Sequence, residues 1–227
     1  MALHTDRQYE VELQQLRAKI LEMGGLVEKQ IGDAMVSLVE RNSALAQEVI
    51  ARDHVVNYLD VAVDDACTRL LALHQPAARD LRLIMTGLKI TTDLERIGDI
   101  ARNICERALA LSQEPPLKPY VDLPRMADWA RSMLRDSLDA FVHEDTELAL
   151  QVCQRDDFID HLTAQLFREM LSYMAQDPQS VGRATRILFL TKYLERIADH
   201  ATNIAEMVIY MVKGKSIRHM SPPPSSV

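Results

Sequence analysis

The chain has 227 residues, of which 33 are Asp or Glu and 26 are Lys or Arg, so its formal net charge is −7. Nucleic-acid binders need a basic surface that displaces the counterions of the phosphates, so this charge argues against DNA or RNA as a partner. Hydrophobic residues make up 48% of the chain and only 7 residues are Gly, which favours a helical protein over a sheet with many tight turns.

Apolar periodicity predicts three long helices in the first half of the chain. They span about residues 9–39, 44–73 and 76–111. Asn42 and Ser43 break the chain and cap the second helix. Pro76 suits the first turn of the third helix, where a backbone N–H has no partner within the helix.

A proline-rich linker follows the third predicted helix. Three prolines stand within five residues, at positions 115, 116 and 119, and such a run cannot continue a helix. The second half then repeats the plan of the first. Its first two helices are predicted at about 123–142 and 147–174, where Asp177 and Pro178 end the second of them. The last helix then runs to about 213, with Gly214 as the C-cap.

These patterns predict an all-α fold of two tandem, pseudo-symmetric three-helix bundles with six long helices. The first bundle spans residues 1–112, the linker 113–122 and the second bundle 123–214. Residues 215–227 form a tail whose Pro/Ser-rich end is expected to be disordered. Helices of about 30 residues are roughly 45 Å long, so the molecule is expected to be elongated.

An internal repeat identifies the chain as two copies of one structural unit. Residues 88–106 recur at 188–206, and 11 of these 19 positions are identical. The preceding helices align at an offset of 103 residues instead of 100, so that Arg52 and Asp53 match Arg155 and Asp156. The change of offset indicates loops of slightly different length in the two halves.

The repeated helices separate an apolar stripe from a line of polar oxygens. On a helical wheel of about 100° per residue, one face carries the predicted core. In the third helix this face consists of Leu94, Ile97, Ala101, Ile104, Ala108 and Leu111, and in the sixth of Leu194, Ile197, Ala201, Ile204, Val208 and Met211. The opposite sides carry Glu95, Asp99, Asn103 and Glu106, and Glu195, Asp199, Asn203 and Glu206.

This acidic line predicts a cation site in each half. Glu95 and Asp99 are one helical turn apart, as are Glu195 and Asp199, and like charges at this spacing cost about 0.2–0.5 kcal/mol unless a cation is bound. Hard cations prefer carboxylate and amide oxygens, so Asn103 and Asn203 complete the predicted metal sites. Neighbouring helices offer further carboxylates at the same spacing, namely Asp60 and Asp64 on the second helix and Asp156 and Asp160 on the fifth.

Two other interpretations of the acidic line stay open. Charged residues opposite an apolar stripe usually form a solvated face, and Arg96, Arg102 and Arg196 could neutralise the carboxylates without metal. The line could also serve helix packing or the docking of a partner. The copying of the same oxygens at the same places in both halves favours metal binding.

The sequence contains no pattern typical of an enzyme or of an organic cofactor site. It has neither a Gly-rich phosphate loop nor a nucleophile elbow, and Gly98 and Ala198 stand where a ferritin-like Glu-x-x-His motif needs histidine. Cys67, Cys105 and Cys153 are scattered, which is typical of a reducing compartment. No signal-peptide pattern and no run of about 18 apolar residues occur, so we expect a cytoplasmic protein.

The repeated block L-E-R-I-[GA]-D-x-A-x-N-I-x-E resembles the PhoU family of bacterial phosphate-signalling regulators. Residues 76–82, at the entry to the third helix, and residues 211–219 resemble the family too. The resemblance covers almost the whole chain, in order and in both copies. It implies two three-helix bundles, a cytoplasmic location and a homodimer.

The resemblance also implies surface metal clusters at Glu95 and Asp99 and at Glu195 and Asp199, continued by Asn103 and Asn203. Fe, Mn, Mg, Zn and Ni are the candidate metals. Asp60, Asp64, Asp156 and Asp160 match the family pattern less clearly, because the second helix and its repeat do not align cleanly beyond Asn57.

In function, the resemblance implies a non-enzymatic negative regulator of the phosphate-starvation response. Such a regulator couples the phosphate ABC transporter, through its ATPase subunit, to a membrane sensor histidine kinase. It meets the membrane only through these partners. The alternative is a metal-dependent hydrolase or a metal-storage protein that uses the same oxygens.

Overall fold

A computed structural model describes the backbone of residues 2–215 and the side chains of residues 7–215. Within this part the chain is helical and has no strand. The helices are α1 (Ala2–Val39), α2 (Ser43–His74), α3 (Ala78–Ser112), α4 (Asp122–His143), α5 (Thr146–Gln154), α6 (Asp156–Gln176), a short 3₁₀ turn (Pro178–Ser180) and α7 (Val181–Lys213). The predicted tail at 215–227 lies outside the described residues, apart from Lys215.

The predicted all-α fold with six long helices is confirmed, with α5 and α6 together forming the predicted fifth helix. Arg155 interrupts this helix for a single residue. Its backbone N–H donates to Val152 O over 3.0 Å in a tight turn, and its carbonyl accepts a hydrogen bond of 3.3 Å from Trp129 Nε1 on α4. This tertiary hydrogen bond draws the carbonyl out of the helical ladder, which apolar periodicity alone does not reveal.

The third helix begins at Ala78, two residues later than the sequence predicts. Gln75 has φ 47°, and Ala77 is extended with φ −121° and ψ 159°. Pro76 therefore lies in an extended connection between α2 and α3 and not in the first turn of α3. The predicted C-cap at Gly214 is confirmed, since this residue has φ 67° and its N–H donates to Tyr210 O over 2.8 Å.

The second helix of each half begins with the same local geometry. Asn42 Oδ1 accepts from Leu45 N over 3.0 Å and caps α2. Asp145, which is 103 residues further on, accepts from Leu148 N over 3.0 Å and caps α5. The residues before the two caps, Arg41 and Glu144, both have positive φ angles, 55° and 54°. Side-chain acceptors at N-caps satisfy N–H groups that have no partner in the helix.

One continuous hydrophobic core joins the two halves. Within each half the helices pack on one another, and across the halves α1 packs against α4 and α3 against α7. Every residue of both predicted core stripes is buried, as the wheel predicts. Further residues of α3, including Gly98, Ile100 and Cys105, are buried as well. The helices α3 and α7 thus bury more than one face, because each also packs against the other half.

Candidate functional site

The first half contains a cluster of carboxylates on the facing surfaces of α2 and α3. This first acidic cluster consists of Asp53, Asp60, Asp64, Glu95 and Asp99. Burial raises the pKa of Glu95, and the charges of Asp99, Asp60 and Asp53 raise it further. Burial and the neighbouring Asp64 raise the pKa of Asp60. The structure therefore brings the predicted α2 and α3 carboxylates of the first half close enough to repel one another.

Asp53 is a member of this cluster that the helical wheel of α3 does not identify. Its residue surface is only 8% exposed, and burial raises its pKa, opposed by the positive charge of Arg102. A signal for its role exists in the sequence, because Asp53 matches Asp156 at the 103-residue offset. The deepest carboxylate of the first half is therefore also a repeated one.

Two arginines neutralise the first acidic cluster. Arg102 lies 3.5 Å from Asp53 Oδ2, 3.3 Å from Asp99 Oδ1 and 3.6 Å from Glu106 Oε1. Arg96 lies 3.6 Å from Glu95 Oε2 and 4.0 Å from Asp99 Oδ2. The geometry of the first half therefore agrees with the interpretation in which arginines neutralise the carboxylates without a metal.

A second acidic cluster occupies the equivalent place between α6 and α7. It consists of Asp156, Asp160, Glu195 and Asp199. Burial raises the pKa of Asp156 to about 6, and the charges of Asp199, Asp160, Asp157 and Glu195 add to this shift. The pKa of Asp199 is raised by burial and by Glu195. These four carboxylates therefore also form a group of mutually repelling charges.

The second cluster contains an acidic oxygen that lacks a partner. Glu195 Oε1 forms an ion pair with Lys192, but Glu195 Oε2 is buried and accepts no hydrogen bond. The Glu195 side chain is only 14% exposed, so it does not stand on a fully solvated surface. A buried carboxylate oxygen without a donor is costly. The donor set of this cluster, made of oxygens alone, fits a hard cation.

An arginine next to each cluster is held by a repeated ion pair. Arg52 lies 3.1 Å from Asp33 Oδ2, which joins α2 to α1. The matching pair in the second half joins Arg155 to Asp136 of α4. Arg155 directly precedes Asp156 in sequence, but its guanidinium points to α4 instead of the second acidic cluster. Because of this ion pair, the guanidinium of Arg155 does not neutralise the second acidic cluster.

Asn103 and Asn203, the asparagines of the predicted sites, lie apart from the carboxylates of these sites. Asn203 Nδ2 lies 3.5 Å from Asp93 Oδ1, which also lies 2.7 Å from His200 Nδ1. Asn203 therefore faces α3 across the junction of the two halves. Asn103 is half-buried one turn beyond Asp99. Metal ligation by Asn103 and Asn203 stays a prediction.

The carboxylates are not arranged around a common point. Among the described side chains, no group of three or more His, Cys, Asp or Glu residues has the arrangement that a metal ion needs. Metal binding by either cluster would therefore require rotation of the exposed side chains, among them Asp64, Asp160 and Asp199. Such carboxylates are free to rotate, because their ends reach solvent.

Comparison with known proteins identifies the family. The PhoU domain profile matches residues 20–108 and again residues 123–208, which is once in each half. The chain belongs to the PhoU family. The PhoU homologue of Pseudomonas putida, named a phosphate-specific transport system accessory protein, is 45% identical over 218 residues, covering 96% of this chain and 85% of that protein. The homologue of Aquifex aeolicus, which has the same name, is 43% identical over 92% of this chain and 94% of its own length.

Solved PhoU structures share the fold of the whole chain. The crystal structure of PhoU from Pseudomonas aeruginosa gives a TM-score of 0.88 at 42% identity, covering 91% of this chain and all of the other. The phosphate transport system regulatory protein PhoU from Streptococcus pneumoniae gives 0.85 at 31% identity, covering 92% and 98%. The resemblance noted in the sequence is thereby confirmed. No helix in the described part of this PhoU chain combines the length and the apolar character needed to cross a bilayer.

Proposed function

We propose that this chain is a cytoplasmic, non-enzymatic regulator of phosphate transport that represses the phosphate-starvation response when phosphate is plentiful. The observation that carries the proposal is the match of the PhoU profile to both halves. Its relatives are named as accessory proteins of the phosphate-specific transport system.

The regulator acts as an adaptor between two membrane proteins. Its partners are the ATPase subunit of the phosphate ABC transporter and the sensor histidine kinase of the phosphate two-component system. The shared core of the two halves supports this role, because it makes the molecule one stiff body that can hold two partners at a fixed separation. Contact with the membrane occurs only through these partners, and the protein assembles as a homodimer.

The proposed regulator binds metal ions, whose positive charge stabilises the acidic clusters. In each half the carboxylates on α3 or α7 hold the ion with help from the preceding helix. The residues that would hold it are Glu95, Asp99, Asp60 and Asp64 in the first half and Glu195, Asp199, Asp156 and Asp160 in the second, with Asn103 and Asn203 as further oxygen donors. A hard cation from the group Fe, Mn, Mg, Zn and Ni supplies the positive charge that cancels carboxylate repulsion.

A genetic complementation experiment tests the proposed function. The chain is expressed in a phosphate-responsive bacterium that lacks its own PhoU and carries a reporter of a phosphate-starvation promoter. At high phosphate the reporter should be active without the chain and repressed with it. A strain that also lacks the sensor histidine kinase is the control. Because the chain is proposed to act through this kinase, adding the chain should not change the reporter signal there. Continued reporter activity in the presence of stably expressed chain would refute the regulatory role.

A further inference from the structure

An apolar groove runs between α6 and α7 in the second half. Its volume is about 340 Å³, and its walls include Phe167, Leu188 and Phe189. The two phenylalanines are each about half exposed. Soluble proteins rarely leave large apolar side chains together at the surface, and such patches mark sites where another molecule binds. This α6–α7 groove is therefore a candidate interaction surface.

Basic side chains lie beside the α6–α7 groove. The Arg107 guanidinium lies over the Phe189 ring, 5.1 Å from the ring centroid. Lys192, the partner of Glu195, is exposed and lines the groove. Residues 181–193 of α7 include no Asp or Glu. The groove is therefore complementary to an apolar group with negative charge beside it.

The composition of the α6–α7 groove is not part of the pattern that the two halves share. At the offset of 100 residues, Lys89 stands in place of Phe189 and Met207 in place of Arg107. The stacked pair of arginine and phenylalanine thus has no counterpart of the same residue types in the repeat. The repeated fold forms without this pair in one of its copies, so the fold itself does not require it.

The first half exposes a ridge of the opposite charge on α2. Tyr58 and Val61 stand three residues apart and are both exposed, Tyr58 on 72% of its surface. Residues 54–68 contain three aspartates, of which Asp64 and Asp65 are exposed, and no Lys or Arg. Side chains three residues apart on a helix are neighbours, so Tyr58 and Val61 form one apolar knob. This knob and the two exposed aspartates beside it are the α2 ridge.

The α2 ridge does not meet the α6–α7 groove within one chain. Among the described elements, α2 packs only against α1 and α3. The helix α6 packs against α4, α5, α7 and the short 3₁₀ turn, all in the second half. The continuous core holds the two halves in one body, so the ridge is kept away from the groove of its own chain. Both surfaces are therefore available to a second molecule.

We propose that the α2 ridge of one copy docks in the α6–α7 groove of a second copy of this chain. In each contact the apolar knob packs against the two exposed rings of the groove, and the aspartates of the ridge lie opposite Arg107 and Lys192. Under a two-fold axis each copy offers one ridge and one groove, so the contact forms twice and the assembly closes as a dimer. This inference rests on the proposed homodimer and assigns its interface.

Single substitutions on either surface test the docking. Self-association of the whole chain is measured by sedimentation equilibrium, and circular dichroism checks that each variant keeps its helix content. Phe189→Lys introduces the residue type that the first half has at the repeated position, and it should raise the dissociation constant of the dimer at least tenfold. Tyr58→Ser should do the same, because aromatic anchors carry much of the binding energy of an interface. Val11→Ser removes an exposed apolar side chain that belongs to neither surface, and it should leave the dissociation constant within twofold.

Mixing of variants tests whether the ridge and the groove meet across two copies. Phe189→Lys has a damaged groove and an intact ridge, and Tyr58→Ser has the reverse. Each variant alone loses both contacts of its dimer, whereas a heterodimer of the two keeps one intact contact. The heterodimer should therefore bind at least threefold more tightly than either variant binds itself. Asp65→Arg and Arg107→Asp should each weaken the dimer, and their combination in one chain should restore the dissociation constant to within about threefold of the parent value.

Several outcomes would overturn the docking. A dimer that Phe189→Lys and Tyr58→Ser leave unchanged would place the interface elsewhere and leave the homodimer standing. A chain that stays monomeric at every concentration would overturn the homodimer and the docking together. Weakening by Phe189→Lys without weakening by Tyr58→Ser, or no gain on mixing the two, would show that the groove receives something other than the ridge.

The regulatory role is judged separately by reporter repression. Failure of the parent chain to repress, with the stated pattern of dimer dissociation, would refute the regulatory role and leave the docking intact. Repression by the parent chain together with a dimer that no ridge or groove variant weakens would have the reverse meaning.

Discussion

His200 of α7 and Asp93 of α3 form a polar contact across the junction of the two halves, with 2.7 Å between Nδ1 and Oδ1. The contact is mostly buried, with 17% of the histidine side chain and 15% of the aspartate side chain exposed. At the pseudo-symmetric positions the chain has Ile100 and Tyr193. The polar pair that joins the two halves therefore has no counterpart of the same residue types at the repeated positions.

This contact should contribute measurably to the free energy of unfolding. A double-mutant cycle of Asp93→Ala and His200→Ala should give a coupling energy of about 0.5–1.5 kcal/mol, which is the usual worth of such a hydrogen bond. Urea denaturation followed by circular dichroism measures it. His54, whose Nδ1 lies 2.7 Å from Ala51 O of its own helix, supplies the control, and the cycle of Asp93→Ala with His54→Ala should show no coupling. A coupling energy near zero for His200 would contradict the contact.

The shared core predicts that both halves unfold together. Leu94 and Leu194 are equivalent in the repeat and both are fully buried. Leu94→Ala and Leu194→Ala should each lower the free energy of unfolding by about 2–5 kcal/mol, because each leaves a cavity. Calorimetry should show a single transition for both variants. Two separated transitions, with only the altered half melting early, would show that the halves fold independently.

The raised pKa of Asp156 predicts how stability depends on pH in metal-free protein. Its folded-state pKa of about 6 lies above the unfolded value of 3.8, so the folded state holds the proton more tightly. The tighter binding of this proton in the folded state adds to the free energy of unfolding below about pH 4. This gain is lost as the pH rises to about 6. Asp156→Asn should therefore raise the free energy of unfolding at pH 7 by on the order of 1 kcal/mol after screening by water.

Asp157 provides the matched control for that prediction. It also lies in the first turn of α6, where the helix dipole stabilises the charge of either carboxylate. Unlike Asp156, it is exposed. The gain in Asp156→Asn over Asp157→Asn reports the burial of Asp156 together with the repulsion within the second acidic cluster. This difference should shrink as the pH is lowered from 7 to 4. A difference that is absent at pH 7, or that grows towards pH 4, would show that burial and like charges do not destabilise the ionised form of Asp156.

The alternative function, hydrolysis by a bound metal, makes a distinct prediction. A hydrolase needs a general base or nucleophile beside the metal and a pocket for its substrate. We expect purified chain loaded with Mn²⁺ or Fe²⁺ to release no phosphate from a phosphomonoester above the rate of the Asp99→Asn, Asp199→Asn double variant. Release that requires metal and is lost in the double variant would establish the hydrolase instead.

The sequence predicts what depends on local periodicity and on the repeat. Apolar spacing locates the helices and core stripes, and Gly214 ends α7 as predicted. Contacts between distant parts of the chain are not encoded in that periodicity. The Arg155 carbonyl, where the fifth helix is interrupted, accepts a hydrogen bond from Trp129, 26 residues away. Asp93 contacts His200 although the repeated positions hold Tyr193 and Ile100.

The candidate site shows the same division. The i,i+4 pairs on α3 and α7 are visible on a helical wheel. The wheel does not show that Asp53 packs beneath Arg102, because these residues come from different helices. It also treats Arg102 as one of several interchangeable surface arginines. Only the distances across α2 and α3 show that this side chain joins three carboxylates.

The proposed function includes a metal ion held by the copied carboxylates, so we expect these carboxylates to be required for repression. Changing Asp99 and Asp199 to Asn removes charge while keeping size and hydrogen bonding, and neither residue belongs to the core. The decisive measurement is reporter repression at high phosphate by the double variant, in the strain that lacks its own PhoU. We predict loss of repression with unchanged helix content and protein level. Full repression by the double variant would contradict the claim.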